Sequence, residues 1–481
     1  MLALGSIMEG PSQQRLAADV RQAMPLLLHV MTTDQNEMVK DTTAWTLGLI
    51  CGLHLPIINN PQLLTQMVMV FIKSLDDVPR VAANVCFACH NLAEAADEVP
   101  VADANSNILS PYFKQLVEKL LATAMRDDWE ENNLRNSAFE AVNQMVSNAA
   151  MGQMQLILEL VPFFCQKLQE SLSTQITTGE LKRCHMVLQA QLCGSLQCAI
   201  NKLEERIAPH ADNIMQLLLR VFSSKDATAH EEAFMAIGAM ANAVEGAFAK
   251  YMHAFHPFLQ QGLNKHEEFQ VCIVAAGVVG DVARALEGQV LPFCDDIVTL
   301  LLRNLQNPRL NRAVKSPILA VFGDIALAIG GNFEKYLPVV MTMLQQAGQL
   351  RTPPADEEDM VDYVISLRSG ILDAYTGIIQ GLHGDQKAAD LLRPYRNMMG
   401  KFLGTVATEG GHGGHNDDET IRAICGVLGD MAQAMGACVK PIVTHEFAAG
   451  PTGIYAQCLK SENSSTRDTG NWAKGVVAVL Q

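Results

Sequence analysis

The sequence predicts an all-helical protein built from one repeated helix pair. Apolar residues recur at positions i, i+3, i+4 and i+7, while alternating runs of β-branched residues are few. Apolar residues make up 49% of the 481 residues and charged residues only 18%, so we expect much of the chain to be buried. A Gly-Asp step followed by an apolar residue occurs late in three such stretches, at 278–288, 321–331 and 427–436. Self-similarity of this kind is typical of repeat proteins.

The repeat length follows from one position in the second helix of each pair. The segment KDTTAW at 40–45 returns as RDTGNW at 467–472, and a glycine lies three residues after each tryptophan. Positions aligned on these glycines are about 47 residues apart on average, close to the spacing of HEAT repeats, which have two helices per unit. The aligned positions are Gly5, Gly48, His90, Gln144, Ser195, Gly238, Gly280, Gly323, Gly377, Gly429 and Gly475.

We therefore predict a right-handed HEAT-repeat α-solenoid, a superhelix of antiparallel helix pairs that runs as one body over residues 1–481. Residues 1–10 form a partial first repeat, and about ten repeats follow with their second (B) helices near the last ten aligned positions. The first (A) helix of a pair begins near a proline, as at 290–305, and a B helix such as 268–286 follows a polar turn. Neither helix can bury its apolar stripe alone, so the repeats must stack. Because no A helix precedes residues 1–10, we expect the chain to be part of a longer one.

The charge balance limits the kinds of partner. The formal net charge is −16 and the isoelectric point is near 5.2, which argues against nucleic acid and favours basic partners. No apolar run approaches the length that spans a bilayer. The twelve cysteines lie mostly within apolar helical stretches, as in a protein of a reducing compartment. These features predict a soluble intracellular protein without membrane insertion.

The sequence offers little catalytic or metal-binding chemistry. Cys86 and Cys89 form a C-x-x-C in the middle of a B helix, where core packing is expected rather than redox or zinc chemistry. His412 and His415 lie in the glycine-rich stretch 407–419, which is expected to be a loop between repeats, with weak metal binding as the alternative. Phosphate loops, nucleophile elbows and HExxH motifs are missing from the sequence. We expect neither an enzyme nor a cofactor.

The acids of the Gly-Asp steps allow two interpretations. Asp281, Asp324 and Asp430 recur at the repeat period, which favours a structural role or a shared surface over catalysis. They are expected either to form hydrogen bonds between adjacent repeats or to line one surface as a row of acids.

The three tryptophans are distributed unevenly over the repeat. Trp45 and Trp472 occupy the same repeat position, away from the packing stripe of their helices, and Asp41 and Asp468 precede them by one turn. Such an acid and ring suit a basic side chain, whose stem lies on the ring while its head meets the carboxylate. Alternatively, the indole fills the groove between neighbouring B helices. Phe87 takes the same position in the second full repeat, and Trp129 is expected to anchor a local loop.

Several long blocks resemble the importin-β family of nuclear transport receptors, which are built from nineteen HEAT repeats. The blocks are collinear and the resemblance covers essentially the whole chain. It implies the C-terminal half of such a receptor, from the B helix of the ninth repeat onward. The blocks are KDTTAWTLGLIC at 40–51, PRVAANVCFACHNLAEAADE at 79–98, YMHAFHPFLQQGLNKHEEFQVC at 251–272, VFGDIALAIGG at 321–331 and DMVDYVISLRSGILDAYTGIIQGLHGDQ at 359–386.

The resemblance implies a concave acidic and aromatic face that binds the basic importin-β-binding segment of importin-α, or basic cargo. Phe87 stands where the family usually has tryptophan. The residues expected to contact the basic segment are Asp41, Trp45, Phe87, Glu94, Asp281, Asp324, Asp430, Asp468 and Trp472.

The resemblance also implies binding of FG nucleoporins on the outer A helices. The candidates, which could equally be packing residues, are Phe255, Phe258, Leu263 and Phe293. Ran-GTP is a further expected partner, although its main site would lie in amino-terminal repeats missing from this chain. We expect a monomer in the cytoplasm, the nucleus and the nuclear pore. The rival interpretation is a rigid HEAT scaffold for a multiprotein assembly.

Overall fold

The computed structural model describes residues 1–174, 179–223, 227–352, 357–383, 388–411 and 415–480. Within these ranges the regular structure is helical and contains no strand, which confirms the predicted all-α class. By their contacts, the residues form two compact units, Met1–Ala236 and Ile237–Gln481. The first ten residues of the helix Ala227–Val244 belong to the first unit, and the rest belong to the second.

The first unit contains the helices of the partial repeat, of the next four helix pairs and of part of a fifth pair. They are α1 (Leu2–Ser6), α2 (Gln13–Thr33), α3 (Glu37–Ile58), α4 (Pro61–Ser74), α5 (Pro79–Glu94), α6 (Phe113–Ala124), α7 (Leu134–Ser147), α8 (Met154–Ser173), α9 (Gly179–Leu203), α10 (Ala211–Val221) and the start of α11 (Ala227–Val244). The B helices α1, α3, α5, α7 and α9 pack side by side in that order, and the A helices α2, α4 and α6 do the same.

The second unit continues this alternation with less regular A segments near its end. Its helices are α12 (Ala249–Leu263), α13 (Phe269–Leu286), α14 (Leu291–Gln306), α15 (Lys315–Ile329), α16 (Leu337–Ala347), α17 (Glu358–Leu382), α18 (Ala388–Leu392), α19 (Arg396–Glu409), α20 (Asp418–Met435), α21 (Lys440–Val443), α22 (Glu446–Ala449), α23 (Ile454–Lys460) and α24 (Ser464–Ala478). The B helices α13, α15, α17, α20 and α24 pack side by side in that order.

The two helices whose limits the sequence predicts lie where they are expected. The A helix predicted at 290–305 is α14, Leu291–Gln306, and Pro292 lies in its first turn, where a proline costs no hydrogen bond. The B helix predicted at 268–286 is α13, Phe269–Leu286. All eleven aligned repeat positions fall inside α-helices. The fold is a HEAT-repeat α-solenoid, while its description as one continuous body remains a prediction.

Two helical stretches are longer and more apolar than predicted, since no membrane-spanning run was expected. Residues 269–306 and 312–335 are long and apolar enough by composition to cross a membrane. However, 61% and 56% of their most apolar windows are buried inside the protein. Their apolar residues are therefore accounted for by packing against neighbouring helices.

The C-x-x-C pair belongs to the core, as predicted. Cys86 and Cys89 lie within α5 and are completely or almost completely buried. Burial raises the pKa of Cys89 to about 12 and raises that of Cys86 well above its usual value. Both thiols therefore stay protonated at neutral pH and are poor nucleophiles.

The helices α15 and α17 approach each other closely because small residues line their contact. A methyl group at Gly377 would overlap the backbone of Gly323, and one at Gly381 would overlap the carbonyl group of Ala326. In these places backbone lies against backbone, and no side chain can move away to make room. The contact therefore depends on glycine at these positions.

Gly377→Ala should destabilise the second unit by about 1–3 kcal/mol, because overpacking of a tight contact forces the helices apart. Gly277→Ala is the matched control, since Gly277 is exposed on α13 and a methyl group there meets no other part of the protein within 4 Å. This control should raise stability by up to about 1 kcal/mol, because alanine favours the helix. Urea unfolding followed by circular dichroism measures both changes. Equal stability of the two variants would contradict the close-contact interpretation.

Candidate peptide-binding surface

In both units, a side chain from one B helix lies over a glycine of the preceding B helix. A methyl group added to any of these glycines would collide with that side chain. We call this set of contacts the ladder. Its pairs are Gly5–Trp45, Gly48–Phe87 and Gly194–Glu232 in the first unit, and Gly238–Asp281, Gly280–Asp324 and Gly429–Trp472 in the second.

The aromatic members of the ladder combine a packing role with solvent exposure. The six-membered part of the Trp472 ring lies against Gly429, yet 40% of the residue remains exposed. Trp45 and Phe87 are half-buried over Gly5 and Gly48 in the same way. Each ring thus fills the groove between neighbouring B helices, and each retains accessible surface. The two interpretations of the tryptophans are therefore compatible.

The acids Asp281 and Asp324 are held together by an arginine of the same surface. One guanidinium nitrogen of Arg284 donates to Asp324 at 2.6 Å, and another donates to Asp281 at 2.7 Å. The side-chain amide of Asn242 also donates to Asp281, at 3.1 Å. Burial alone would lower the pKa of Arg284, but the hydrogen bond and charge of Asp324, together with Asp281, raise it. Arg284 thus stays charged and bridges α13 and α15.

Asp41 is engaged in a similar way by the next B helix. It is only 8% exposed, and its carboxylate accepts a hydrogen bond from the Asn84 side-chain amide at 2.7 Å and pairs with the Arg80 guanidinium at 2.9 Å. The side-chain amide of Asn91 donates to the carbonyl oxygen of Gly48. These contacts tie α3 to α5, and they give Asp41 a cationic partner within the chain.

Near its C-terminal end, the second unit contains an acidic groove of about 500 Å³ between α17, α20 and α24. Trp472 lies on its wall, and Arg422 is the one lysine or arginine among its lining residues. The acids of its lining are Asp373, Asp417, Glu419 and Asp430. The groove therefore places several carboxylates beside an exposed indole ring.

Two of these carboxyl groups hold their protons more tightly than usual. Asp430 is buried, which raises its pKa to about 6, although a hydrogen bond from Gln380 at 3.0 Å and the nearby His383 partly oppose this. Partial burial, followed by the negative charges of Asp324 and Glu419, raises the pKa of Asp373. The groove thus gains negative charge as the pH rises towards neutrality.

Asp468 and Glu94 are the two predicted acids that remain largely exposed to solvent. Asp468 lies one turn before Trp472 on α24. Glu94 lies at the end of α5, with its carboxylate 4.0 Å from the imidazole of His90. Among the described residues, no group of His, Cys, Asp and Glu side chains is arranged to hold a metal ion, and His412 lies outside those residues.

Comparison with known proteins identifies the family. The profile described as "Importin subunit beta-1-like, TPR repeats" matches residues 66–448, and a HEAT-like repeat profile matches residues 1–50. The chain belongs to the importin-β family. Importin subunit beta-1 of Arabidopsis thaliana is 40% identical over 99% of this chain and 55% of its own length. The Schizosaccharomyces pombe protein of that name is 36% identical over 98% and 54%.

Solved structures of the importin-β family match the fold closely. A crystal structure of importin beta in an ammonium sulfate condition gives a TM-score of 0.91 at 35% identity, over 99% of this chain and 55% of that one. The Kap95:Nup1 complex gives 0.87 at 30% identity, over 99% and 54%. A structure that concerns Kap95p binding to RanGDP gives a TM-score of 0.72 at 30% identity, again over 99% and 54%. The chain spans about half the length of the relatives it matches.

The structure corrects two of the predicted nucleoporin-binding residues. Phe255 and Leu263 are completely buried within the packing of α12, so neither side chain is accessible to a partner. Their helical spacing places them on the inward stripe. Phe258 and Phe293 are half-exposed on α12 and α14. The ring of Phe293 lies 5.2 Å from that of His253 and 5.1 Å from that of His256.

Sequence reasoning missed the residues that pair with the predicted acids. Arg80, Asn84 and Arg284 act across neighbouring B helices. Glu232 covers Gly194, and its burial, together with the charge of Glu231, raises its pKa to about 7. A usable signal was present, because Arg284 lies one turn after the glycine of a Gly-Asp step.

Trp129 has the local role predicted for it. The Arg135 guanidinium stacks 3.8 Å above the centre of the Trp129 ring, and the Arg135 amide donates to the Trp129 carbonyl oxygen. Arg135 is itself buried and also donates to the carbonyl oxygen of Ala124. The tryptophan therefore anchors the turn that precedes α7.

Asp430→Asn should stabilise the protein at pH 7.5 by about 1–3 kcal/mol. A carboxyl whose pKa rises from its usual 3.8 to about 6 on folding binds a proton more tightly in the folded state. The free energy of unfolding therefore falls as the pH rises from about 4 to 6, and this loss persists above pH 6. Asparagine carries no charge and can still accept from Gln380. Thermal unfolding should show the gain at pH 7.5 but not at pH 4, and Asp468→Asn serves as the exposed control.

Proposed function

We propose that this chain is part of a nuclear import receptor and that its ladder and acidic groove bind a basic segment of a partner. The family membership supports the transport role. The proposed ligand is the importin-β-binding segment of importin-α, or a basic signal carried directly by cargo. The observation that carries the proposal is the exposed Trp472 ring beside several carboxylates of the acidic groove.

The chemistry of recognition follows from this arrangement. The aliphatic stem of an arginine or lysine packs on the exposed face of Trp472, while its charged head meets Asp468 or the groove acids. Trp45 and Phe87 offer the same apolar platform in the first unit, with Glu94 as the exposed acid on α5. Asp41 serves mainly to tie α3 to α5, because its carboxylate already has partners.

The affinity arises from many contacts. Each exposed ion pair contributes only about 0–1 kcal/mol, so a long basic segment must engage several acids and rings together. The net charge of −16 attracts such a segment from a distance. Binding therefore weakens as salt screens these charges.

Two other classes fit the observations less well. A rigid scaffold has no need of indole rings kept accessible at equivalent repeat positions. An enzyme requires a constellation of activated groups, and the perturbed acids of the described residues are explained by burial between helices. We therefore propose a binding protein without catalytic activity.

Trp45→Ala and Trp472→Ala should each weaken binding of a basic importin-β-binding peptide by about threefold to tenfold, and the double variant should weaken it further. The reason is that removal of an aromatic anchor at an interface commonly costs about 1 kcal/mol or more. Fluorescence anisotropy of a labelled peptide at 50 and 300 mM salt measures the dissociation constants.

Trp129→Ala is the matched control, because it removes the same side chain from a turn outside the ladder. Its affinity for the peptide should equal that of the unaltered chain. Circular dichroism of each variant verifies that the helices are retained. Unchanged affinity in the double variant would refute the role of the tryptophans, and lack of binding at either salt concentration would favour the scaffold.

We further propose that the A-helix surface at Phe258 and Phe293 binds phenylalanine-glycine segments of nucleoporins. A relative of this chain, Kap95, is seen in complex with Nup1. Half-exposed aromatic rings on the A helices α12 and α14 suit the edge or face of an incoming phenylalanine.

Phe258→Ser combined with Phe293→Ser should reduce capture of this chain by immobilised FG repeats by at least about threefold, because apolar surface available to the partner is lost. Binding of the basic peptide should remain unchanged, which serves as the internal control. Full retention of FG binding would place that site elsewhere.

Ran-GTP is the third proposed partner, on the evidence of the solved complex of a relative, Kap95p, with Ran. The proposed transport role implies that the receptor moves between the cytoplasm and the nucleus through the nuclear pore.

A further inference from the structure

We propose that Arg284 is an internal competitor for the arginines of the basic partner, held in the ladder until that partner displaces it. The inference rests on the proposed function and concerns how the same surface is regulated. Arg284 occupies the acid pair Asp281 and Asp324 as an arginine of a bound segment would.

The contacts of Arg284 imitate those of a ligand. Two of its guanidinium nitrogens reach carboxylates on two successive B helices, Asp324 at 2.6 Å and Asp281 at 2.7 Å. Planar guanidinium groups favour such paired contacts with carboxylates. The second oxygen of each carboxylate lies over a ladder glycine, Gly238 or Gly280, so both acids are fixed in place.

The arginine is nevertheless free to leave. Half of its side-chain surface is exposed, and it lies in the last turn of α13, one turn after Gly280. Because each exposed ion pair is weak, the bridge can open without disturbing the core. An acid pair that lost Arg284 would carry two negative charges near a third acid, Asp373, whose raised pKa already reflects the charge of Asp324.

A second instance occurs in the first unit. Arg80 of α5 pairs with Asp41 of α3 at 2.9 Å, and nearly half of its side chain is exposed. By contrast, Trp472 and the acidic groove have Arg422 as the one arginine of their lining. The proposed binding surface therefore contains acids already paired with the chain's own arginines, and acids of the groove whose attraction for a cation is less compensated.

The acids of the surface therefore differ in how readily a basic partner can reach them. A partner first engages the open acids near Trp472, and it gains the Asp281 and Asp324 contacts only after it expels Arg284. This exchange lowers the affinity for short or weakly basic segments, because Arg284 is tethered next to the acids and competes at a high local concentration. Long basic segments overcome it through their contacts elsewhere.

The experiment measures binding of a fluorescein-labelled 16-residue peptide of alternating arginine and alanine to the full chain at 50 mM salt. Arg284→Gln should bind the peptide about fivefold more tightly than the unaltered chain, which corresponds to removal of weak competing ion pairs. Arg309→Gln is the matched control, since it removes the same charge from an exposed loop position outside the ladder. It should change the affinity less than twofold.

A double-mutant cycle tests whether the gain comes from the acid pair. Asp281→Asn with Asp324→Asn should cost little affinity while Arg284 is present, and it should abolish the gain in the Arg284→Gln background. Arg284→Lys keeps the charge and should bind the peptide about as tightly as the unaltered chain does. Melting temperatures of all variants verify that each one is folded.

The outcomes separate the two proposals. If the unaltered chain binds the peptide and Arg284→Gln binds no more tightly than Arg309→Gln, the competitor is refuted and the proposed function stands. If Arg284→Gln lowers the melting temperature and weakens binding, Arg284 is a structural tie only, and the competitor is again refuted. If neither chain binds the peptide at all, both the competitor role of Arg284 and the proposed function are refuted.

Discussion

The close approach of successive B helices, made possible by glycine at one repeat position, is the constraint on which the rest of this structure depends. At the ladder glycines the next B helix contributes a side chain that covers the exposed backbone, whereas at Gly323 and Gly377 backbone lies directly against backbone. The helices are therefore locked in register by a contact that also determines which side chains remain near the surface. Where the covering residue is an indole, the contact leaves an accessible ring. Where it is an aspartate, the contact leaves a fixed carboxylate.

The same contact explains why a strongly acidic protein can keep its acids close together. Asp281 and Asp324 share Arg284, and Asp41 is matched by Arg80 and Asn84. Asp430 relies on burial and a single amide hydrogen bond, so its proton is retained up to about pH 6. The negative charge of the surface is therefore uneven. It is compensated where repeats are tied together, and less compensated at the acidic groove beside Trp472.

Much of the fold and part of the candidate site could be predicted from the sequence. The limits of α13 and α14, the core position of Cys86 and Cys89, and the local role of Trp129 were all predicted correctly, because helical periodicity and turn residues are local signals. Phe255 and Leu263 were candidates either for partner contact or for packing, and their burial decides for packing. Their spacing of eight residues puts both on one face of α12, and the positions of the neighbouring helices make that face the buried one.

The sequence by itself determined the repeat, its spacing, the helix pairs and the residue types available at the ladder position, since each follows from composition and periodicity along the chain. Tertiary structure alone decided how those residues are used. Arg284 lies 40 residues from Asp324 and Arg80 lies 39 from Asp41, and stacking of helices brings each pair within hydrogen-bonding distance. Whether an acid is open to a partner or paired within the chain depends on these contacts between repeats, because the two partners lie far apart along the chain.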